Sequence, residues 1–246
     1  MISLHDIDTR APGDFHKGDT RKATKKIARE IGELQTTLQA EGKHALLVVL
    51  QGMDASGKNG SMKAAFTYCN RVGVKAYSFK KPTDEEMNHD FLWRVHKQVP
   101  ARGMIQIFNR SHYEDILIQR VHRWIDEEQV KKRMNSINAF EELLQYDNNT
   151  TILKFYLHIS QKEQMEELQE RLDEPEKNWK HNPADWEEAA KWDDYRRAYE
   201  YAISESRIPW VIIPSDQGWY RNYLVAKTVR DTLKNLNMVR PVIGDI

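Results

Sequence analysis

Cysteine, long apolar runs and net charge are all scarce in this sequence. Cys69 is the single cysteine, which excludes an internal disulfide, and without a Cys-x-x-Cys partner we expect a packing residue rather than a nucleophile. No apolar run approaches the ~20 residues that span a bilayer, and residues 1–8 lack the basic and then apolar layout of a secretory signal. We therefore expect a cytoplasmic protein with no membrane partner.

The charge balance excludes a second class of partner. The 246 residues include 37 Lys and Arg against 37 Asp and Glu, so no global basic field is available for binding nucleic acid. With 40% hydrophobic and 30% charged residues, the composition is typical of a globular protein. We predict a single domain over residues 1–246, with an extended or partly ordered N-terminal arm at 1–18 and an insert at 171–197.

The stretch that organises the rest of the chain runs from Leu46 to Gly60. An apolar run predicts a buried strand, a glycine loop ending in Lys58 follows, and a helical pattern comes next. This order matches the P-loop, in which backbone N–H groups turn toward phosphate oxygens and the lysine reaches the outer phosphates. A chance glycine loop is the alternative, and the fixed position of the lysine argues against it. The predicted phosphate-binding residues here are Gly52, Ala55, Ser56, Gly57, Lys58, Asn59 and Gly60.

One position departs from the P-loop template. Asn59 follows the lysine, where a Ser or Thr hydroxyl normally contacts Mg²⁺, so the metal must be bound differently. Asp54, inside the loop, is the obvious substitute, because a divalent cation prefers carboxylate oxygen and would lie beside the phosphates.

Strand and helix patterns alternate along the chain. A charged segment with periodic apolar residues predicts a long amphipathic helix from about 19 to 42, and a capping box at Thr83 predicts a helix running toward Val99. Predicted strands cover residues 46–50, 74–79, 104–108, 151–157 and 210–214. This alternation predicts a five-stranded parallel α/β sheet covered on both faces. Loops at 51–58, 80–83, 109–115 and 214–219 should then converge on one site at the carboxyl ends of the strands.

The insert at 171–197 interrupts the alternation. It combines the basic residues Arg171, Lys177 and Lys180 with proline breaks, and three tryptophans between 179 and 192 suggest a small apolar anchor of its own. Such a segment between two strands predicts a lid over the phosphate site. A charged helical hairpin on the surface is the alternative.

Phosphoryl transfer needs positive charge on the moving group and a metal between the phosphates. The candidate cations are Lys58, Arg110, Lys80, Lys81 and the basic residues of the insert. Glu114 lies near the place where a second metal-ordering carboxylate is wanted, but Ser111-x-x-Glu114 also matches a capping box, which would give the glutamate a structural role. Arg94 could face an acceptor, although a solvated helix face explains it nearly as well.

Five spaced motifs resemble the polyphosphate kinase 2 family, over about residues 20 to 236. They are Gly52 to Gly60, Phe79 to Thr83, His89 to Arg94, Phe108 to Asp115, and Arg171 through Lys180. The resemblance implies a thymidylate-kinase-like fold, a three-layer α/β/α sandwich with a helical lid. It also implies Mg²⁺-dependent phosphoryl transfer, with Mn²⁺ as a possible substitute, and a homodimer or homotetramer.

The resemblance assigns roles to residues by matching positions. Asp54 and an acidic residue after the third strand, taken as Glu114, would order the metal, and Lys58, Arg110 and the lid's basic residues would hold polyphosphate. Asp90, Arg94 and Asn109 would bind the nucleotide. Much of the family has Asp-Arg-Ser where this sequence has Asn109-Arg110-Ser111 followed by Glu114-Asp115, which resembles the branch that phosphorylates both AMP and ADP. This difference leaves open which of Asn109, Glu114 and Asp115 serves the metal.

The prediction is therefore an enzyme that transfers phosphoryl groups reversibly between inorganic polyphosphate and AMP or ADP. Catalytic roles fall to Asp54, Lys58, Arg110 and Glu114. An ATP-dependent nucleoside monophosphate kinase is the nearest alternative, because a P-loop alone does not distinguish ATP from polyphosphate. A nucleotide-controlled P-loop binding module is the alternative from another class.

Overall fold

A computed structural model describes residues 2–242, so Met1 and residues 243–246 of the predicted domain lie outside the described residues. Its centre is one sheet in the order β2-β3-β1-β4-β5, in which every pairing is parallel, and this confirms the prediction of five parallel strands. The strands are β1 (Ala45–Gln51), β2 (Val74–Ser78), β3 (Ile105–Asn109), β4 (Thr150–His158) and β5 (Trp210–Pro214).

Helices cover both faces of the sheet. They are α1 (Lys17–Glu41), α2 (Lys58–Phe66), α3 (Asp84–Met87), α4 (Trp93–His96), α5 (Ile118–Val121), α6 (Glu127–Asn148), α7 (Gln161–Asp173), α8 (Ala184–Ala189), α9 (Trp192–Glu205) and α10 (Gly218–Asn235). Short 3₁₀ helices occupy Leu4–Asp6, His112–Asp115 and Pro175–Lys180. Within residues 2–242, none of the helices is long and apolar enough to cross a membrane.

The burial of the central strand β1 on both faces accounts for the three layers of the fold. All seven of its residues are buried, as expected for a parallel strand covered on both faces. Because side chains alternate along a strand, Leu46 and Val48 join the core beneath α1 and α10, whereas Leu47 and Val49 join a core on the opposite face with residues of α6. The α/β/α sandwich implied by the resemblance is confirmed.

The helix predicted from Thr83 toward Val99 is wrong in its length. The capping box at Thr83 is present, but it opens only α3, and α4 begins separately at Trp93. Between them the Asp90 carboxylate accepts a hydrogen bond from the Leu92 amide at 2.9 Å, and this local bond competes with helical bonding. The helix capped by Thr83 therefore ends at Met87, whose side chain is 57% exposed.

The N-terminal arm is ordered against the domain. Leu4 is completely buried, and its amide donates to the Glu200 carboxylate on α9 at 2.9 Å. Farther along, the Thr9 hydroxyl donates to Asp216 at 2.7 Å, just beyond β5. The arm has little helical or strand periodicity because it is held by contacts with residues near the other end of the sequence, and this low periodicity led to the prediction of a partly ordered arm.

Candidate active site

The P-loop connects the carboxyl end of β1 to the start of α2. Gly52 and Gly57 have φ values of 153° and 88°, which side-chain-bearing residues rarely adopt. At Gly52 a Cβ atom would lie 2.8 Å from the Leu157 carbonyl oxygen, and at Gly57 it would lie 2.1 Å from the Arg221 guanidinium. Glycine is therefore favoured at both positions, because the backbone has a positive φ and because neighbouring atoms leave no room for a Cβ atom.

Lys58 is folded back onto the loop that it ends. Its ammonium donates to the carbonyl oxygens of Gly52 at 2.8 Å and Met53 at 3.0 Å. Burial lowers the pKa of Lys58 to about 8, although the neighbouring Asp54 carboxylate favours the charged form. The lysine is thus a half-buried cation whose bonds to neutral carbonyls can be exchanged for bonds to phosphate oxygens.

Arg110 follows β3 directly and faces the P-loop across the site. Its backbone is in the left-handed region, with φ of 60°, and its amide donates to the Leu50 carbonyl at 3.0 Å. The guanidinium forms a hydrogen-bonded ion pair with Asp54. Burial opposes the charge on both partners, but their attraction dominates: the pKa of Asp54 is lowered by Lys58 and Arg110, and that of Arg110 is raised by the carboxylates.

Two cavities meet at this ion pair. The larger, of about 480 Å³, is lined by the P-loop, the end of β3 and the insert, and the smaller, of about 60 Å³, lies toward α9. Asp54 and Arg110 line both cavities. The wall between the two spaces is therefore made of one carboxylate and one guanidinium.

The larger cavity gathers most of the predicted phosphate-binding residues. Its lining includes Ala55, Gly57, Lys58, Asn59, Gly60, Arg110, Arg171, Lys177 and Lys180. Asn109 also lines it and donates its amide to the Asn59 side chain at 2.6 Å. Gly52 lines the smaller cavity, and the Ser56 hydroxyl is buried without a hydrogen-bond partner within the described structure.

The insert lines the same cavity as the P-loop, and its action as a lid remains a prediction. Arg171, near the end of α7, is held by an ion pair with Asp185 at 2.7 Å, and both residues line the larger cavity. The predicted apolar anchor of three tryptophans is wrong for Trp179, which is 79% exposed. Trp179 lies on a 3₁₀ helix that borders the open cavity, whereas Trp192, the first residue of α9, is partly buried against the core.

Of the two carboxylates after β3, only Glu114 reaches the site. The capping-box alternative for it is wrong, because the Ser111 hydroxyl accepts from the Tyr113 amide and the Glu114 amide donates to the Ser111 carbonyl. The Glu114 side chain lines the smaller cavity with Asp54, and burial raises its pKa. Asp115 instead accepts hydrogen bonds from Arg94 at 3.3 Å and Gln119 at 2.7 Å.

Asp54 and Glu114 have the chemistry of a divalent-metal site to which substrate would contribute the remaining ligands. Within the described part of the chain, no group of three or more His, Cys, Asp or Glu side chains could hold a metal alone. Mg²⁺ is usually bound by one or two carboxylates plus substrate phosphates, rather than by an all-protein cage. Asp54, whose pKa is lowered, and Glu114 line the same cavity, so both could offer hard carboxylate oxygens to such an ion.

The structure does not bring every predicted residue to the cavities. Lys80, Lys81 and Asp90 are exposed, and none of them lines either cavity. The solvated-face interpretation of Arg94 is wrong, since this residue is only 6% exposed and its guanidinium is 3.6 Å from Glu86 and 3.3 Å from Asp115. Nucleotide binding by Asp90 and Arg94, and phosphate binding by the two lysines, remain predictions.

Several site residues were missed at the level of sequence. Tyr195 and Tyr199 of α9 line the smaller cavity, and their spacing of four residues could have indicated a shared helix face. Arg221 donates to the Ser56 carbonyl at 3.2 Å and the Ser215 carbonyl at 3.3 Å, which ties the P-loop to the end of β5. No local pattern marks Arg221, because its contact depends on how α10 packs.

Comparison with known proteins agrees with this geometry. The family model of polyphosphate kinase 2 matches residues 14–241. A protein of Meiothermus ruber named AMP/ADP-polyphosphate phosphotransferase is 48% identical over 243 residues, which cover 98% of this chain and 91% of that protein. An ADP-polyphosphate phosphotransferase of Rhodopseudomonas palustris is 40% identical over 226 residues, covering 86% of this chain and 78% of that one.

A solved structure shows the same fold over the full domain. The crystal structure of polyphosphate kinase 2 from Arthrobacter aurescens superposes with a TM-score of 0.95 at 40% sequence identity. The superposition covers 99% of this chain and 89% of that one. With its P-loop, its paired cavities and these matches along nearly its whole length, the chain belongs to the polyphosphate kinase 2 family.

Proposed function

We propose that this protein transfers phosphoryl groups reversibly between inorganic polyphosphate and the terminal phosphate of AMP or ADP. The observation that carries the proposal is the meeting of two cavities at Asp54 and Arg110. A transfer reaction needs donor and acceptor on opposite sides of one point, with positive charge at that point. The names of the relatives from Meiothermus and Rhodopseudomonas support this choice of substrates.

The larger cavity suits the donor, and we call it the donor cavity. Lys58, Arg110, Arg171, Lys177 and Lys180 surround it, so a chain of phosphates would meet cations from the P-loop, from β3 and from the insert. Arg110 and Arg171 offer bidentate bonds to oxygens, and the P-loop amides offer more donors. Closure of the insert over the chain would exclude water, which otherwise competes as the acceptor.

The smaller cavity suits the group that receives the phosphoryl, and we call it the acceptor cavity. At about 60 Å³ it has room for a phosphate group rather than a whole nucleotide, which places the nucleoside outside it. No protein base is required, because the attacking oxygen of AMP or ADP is already ionised. Arg110, on the shared wall, is placed to neutralise charge on the moving group.

Asp54 and Glu114 would hold the metal, for which we propose Mg²⁺, with Mn²⁺ as a substitute. When bound, the ion supplies charge neutralisation between the donor and acceptor phosphates. The protein's own contribution is to keep Asp54 ionised, because Lys58 and Arg110 lower its pKa. The buried Glu114 carboxyl, whose pKa is raised, is more readily ionised once a cation arrives.

Phosphorus NMR of the purified protein with Mg²⁺ and AMP tests the proposal. The reaction is run once with long-chain polyphosphate and once with ATP as the donor. We expect ADP and then ATP to form from polyphosphate. ADP formed only from ATP would establish the monophosphate kinase instead, and the absence of product with both donors would favour the binding module.

Two further properties belong to the proposal. We propose a homodimer or homotetramer, which sedimentation equilibrium tests directly. We also propose a cytoplasmic location, consistent with the single cysteine Cys69, whose pKa burial raises to about 12 and which packs against the core beneath α1. A thiol with such a pKa is not a nucleophile at neutral pH.

A further inference from the structure

A third cavity, lined by residues of α1, α2 and α10, has no role in the function proposed so far. We call it the basic groove, and its volume is about 520 Å³. Residues of α1 form one wall, Ala64 of α2 and Thr67 directly after it form the floor, and the first turn of α10 forms the opposite wall. Neither Asp nor Glu is among the residues that line it.

The charge of the groove comes from one row of side chains on α1. Lys17, Arg21 and Lys25 recur every four residues, so they lie on one face of the helix over about 12 Å. All three are exposed, and none has a carboxylate partner among residues 2–242. Residues 17–29 contain six Lys or Arg against the single Asp19, in a chain whose overall charge is zero.

The opposite wall adds to the attraction for anions. Gly218 and Trp219, the first residues of α10, line the groove, and the positive end of an 18-residue helix lies at this point. Tyr68 and Trp219 complete the lining with aromatic edges. A linear polyanion is therefore the ligand that this surface fits by charge and shape.

Arg221 lies between the basic groove and the donor cavity, close to glycines that line each of them. Its guanidinium lies within 2.1 Å of a Cβ atom built on Gly57, 3.3 Å of one on Gly60 and 3.1 Å of one on Gly218. Gly57 and Gly60 line the donor cavity, whereas Gly218 lines the groove. The Arg221 guanidinium therefore lies close to residues of both linings, and a phosphate chain leaving the P-loop in this direction would stay beside positive charge.

We infer that the basic groove is a second binding site for the polyphosphate donor, which holds phosphates distant from the one transferred. The inference rests on the proposed function. It makes the groove a determinant of chain-length preference: a long donor reaches the groove and the donor cavity together, whereas tripolyphosphate occupies the donor cavity alone. The second contact raises affinity without changing the reacting groups.

The test compares two double variants of the same helix. R21Q/K25Q removes two cations of the groove, and the control K22Q/K26Q removes two exposed cations that do not line it. For R21Q/K25Q we expect the KM for long-chain polyphosphate to rise roughly tenfold. The slope of log KM against the logarithm of the salt concentration should decrease by about 1.4, because two cation–phosphate contacts are lost. The KM for tripolyphosphate, kcat and the mass in solution should match those of the unmodified protein.

The outcomes separate this inference from the proposed function. Product from tripolyphosphate in all three proteins establishes polyphosphate as the donor, whatever happens with long chains. The inference is overturned if the two double variants have the same long-chain KM, or if R21Q/K25Q alters both donors equally. A change in the mass of R21Q/K25Q would also overturn it, and would assign the surface to contact between copies of the chain.

Discussion

Replacing the two neighbouring carboxylates after β3 by amides, one at a time, distinguishes a residue of the active site from a residue that stabilises the fold. Glu114→Gln removes a charge from the acceptor cavity, and we expect kcat to fall about 10²–10³-fold, as for loss of one preorganised charge-stabilising group. The Mg²⁺ concentration for half-maximal activity should rise in this variant. Because burial raises the pKa of Glu114, the folded protein holds this charge at a cost at neutral pH, so the melting temperature should stay equal or rise.

Asp115→Asn should show the opposite pattern. The carboxylate and its partner Arg94 have side chains only 5% and 7% exposed, and removing one member of such a buried pair costs about 3–5 kcal/mol. Burial raises the pKa of Asp115 as well, but the Asp115 carboxylate, unlike that of Glu114, forms a hydrogen-bonded ion pair with Arg94, which would lose a charged partner. Asparagine keeps the shape and one acceptor, and Glu86 remains 3.6 Å from Arg94, so we expect the free energy of unfolding to fall by about 2–3 kcal/mol. That loss lowers the melting temperature by roughly 5–10 °C. Turnover below the transition should remain within about tenfold of the unmodified enzyme.

Both variants are measured by the same two assays. Calorimetry gives the melting temperature, and ATP formation from ADP at several Mg²⁺ concentrations gives kcat and the metal requirement. If Asp115→Asn abolished turnover and altered the Mg²⁺ requirement while Glu114→Gln left both unchanged, the assignment of Glu114 to the site would be refuted.

Three further predictions concern the P-loop. Asp54→Asn should lower kcat about 10²–10³-fold and, by removing a negative neighbour, tighten metal-free binding of polyphosphate measured by calorimetry. Because the pKa of Lys58 is about 8 and its charged form binds the donor, kcat/KM for polyphosphate should decline above pH 8. Lys58→Arg should remove that decline, and a pH profile unchanged by the substitution would contradict this role. Gly57→Ala should reduce turnover at least tenfold in the NMR assay, since the methyl group meets Arg221 at 2.1 Å, and Arg221→Ala in the same chain should recover part of it.

The sheet and the P-loop were predictable because their signals are local. The β1 run is apolar at every position but its last, which is typical of a strand buried on both faces, and Gly52 and Gly57 mark the turns of the loop. The strand predictions agree with the structure to within one residue at each end. The long helix α1 ends at Glu41, before Gly42 with its left-handed backbone, as the pattern indicates.

The site beyond the P-loop was less predictable, because its contacts depend on packing. Ser111 and Glu114 have the spacing of a capping box, yet the residues form a 3₁₀ helix whose hydrogen bonds send the glutamate into the cavity. Arg94 is found in a buried ion pair because Asp115, 21 residues later, reaches it across the fold. Arg221 is 165 residues from the P-loop carbonyl that it contacts, and no spacing rule covers that distance.

The docking of the N-terminal arm has a practical consequence for anyone who handles this protein. Leu4 is fully buried and its amide is bonded to Glu200, and the Ile2 amide donates to Ser204 at 2.9 Å. Both acceptors are on α9, the helix that carries Tyr195 and Tyr199 into the acceptor cavity. An affinity tag or a fusion partner joined directly to the first residues would therefore disturb the packing of α9, which forms a wall of the cavity. A protease that removes the arm would take away the hydrogen bonds that hold α9 in place.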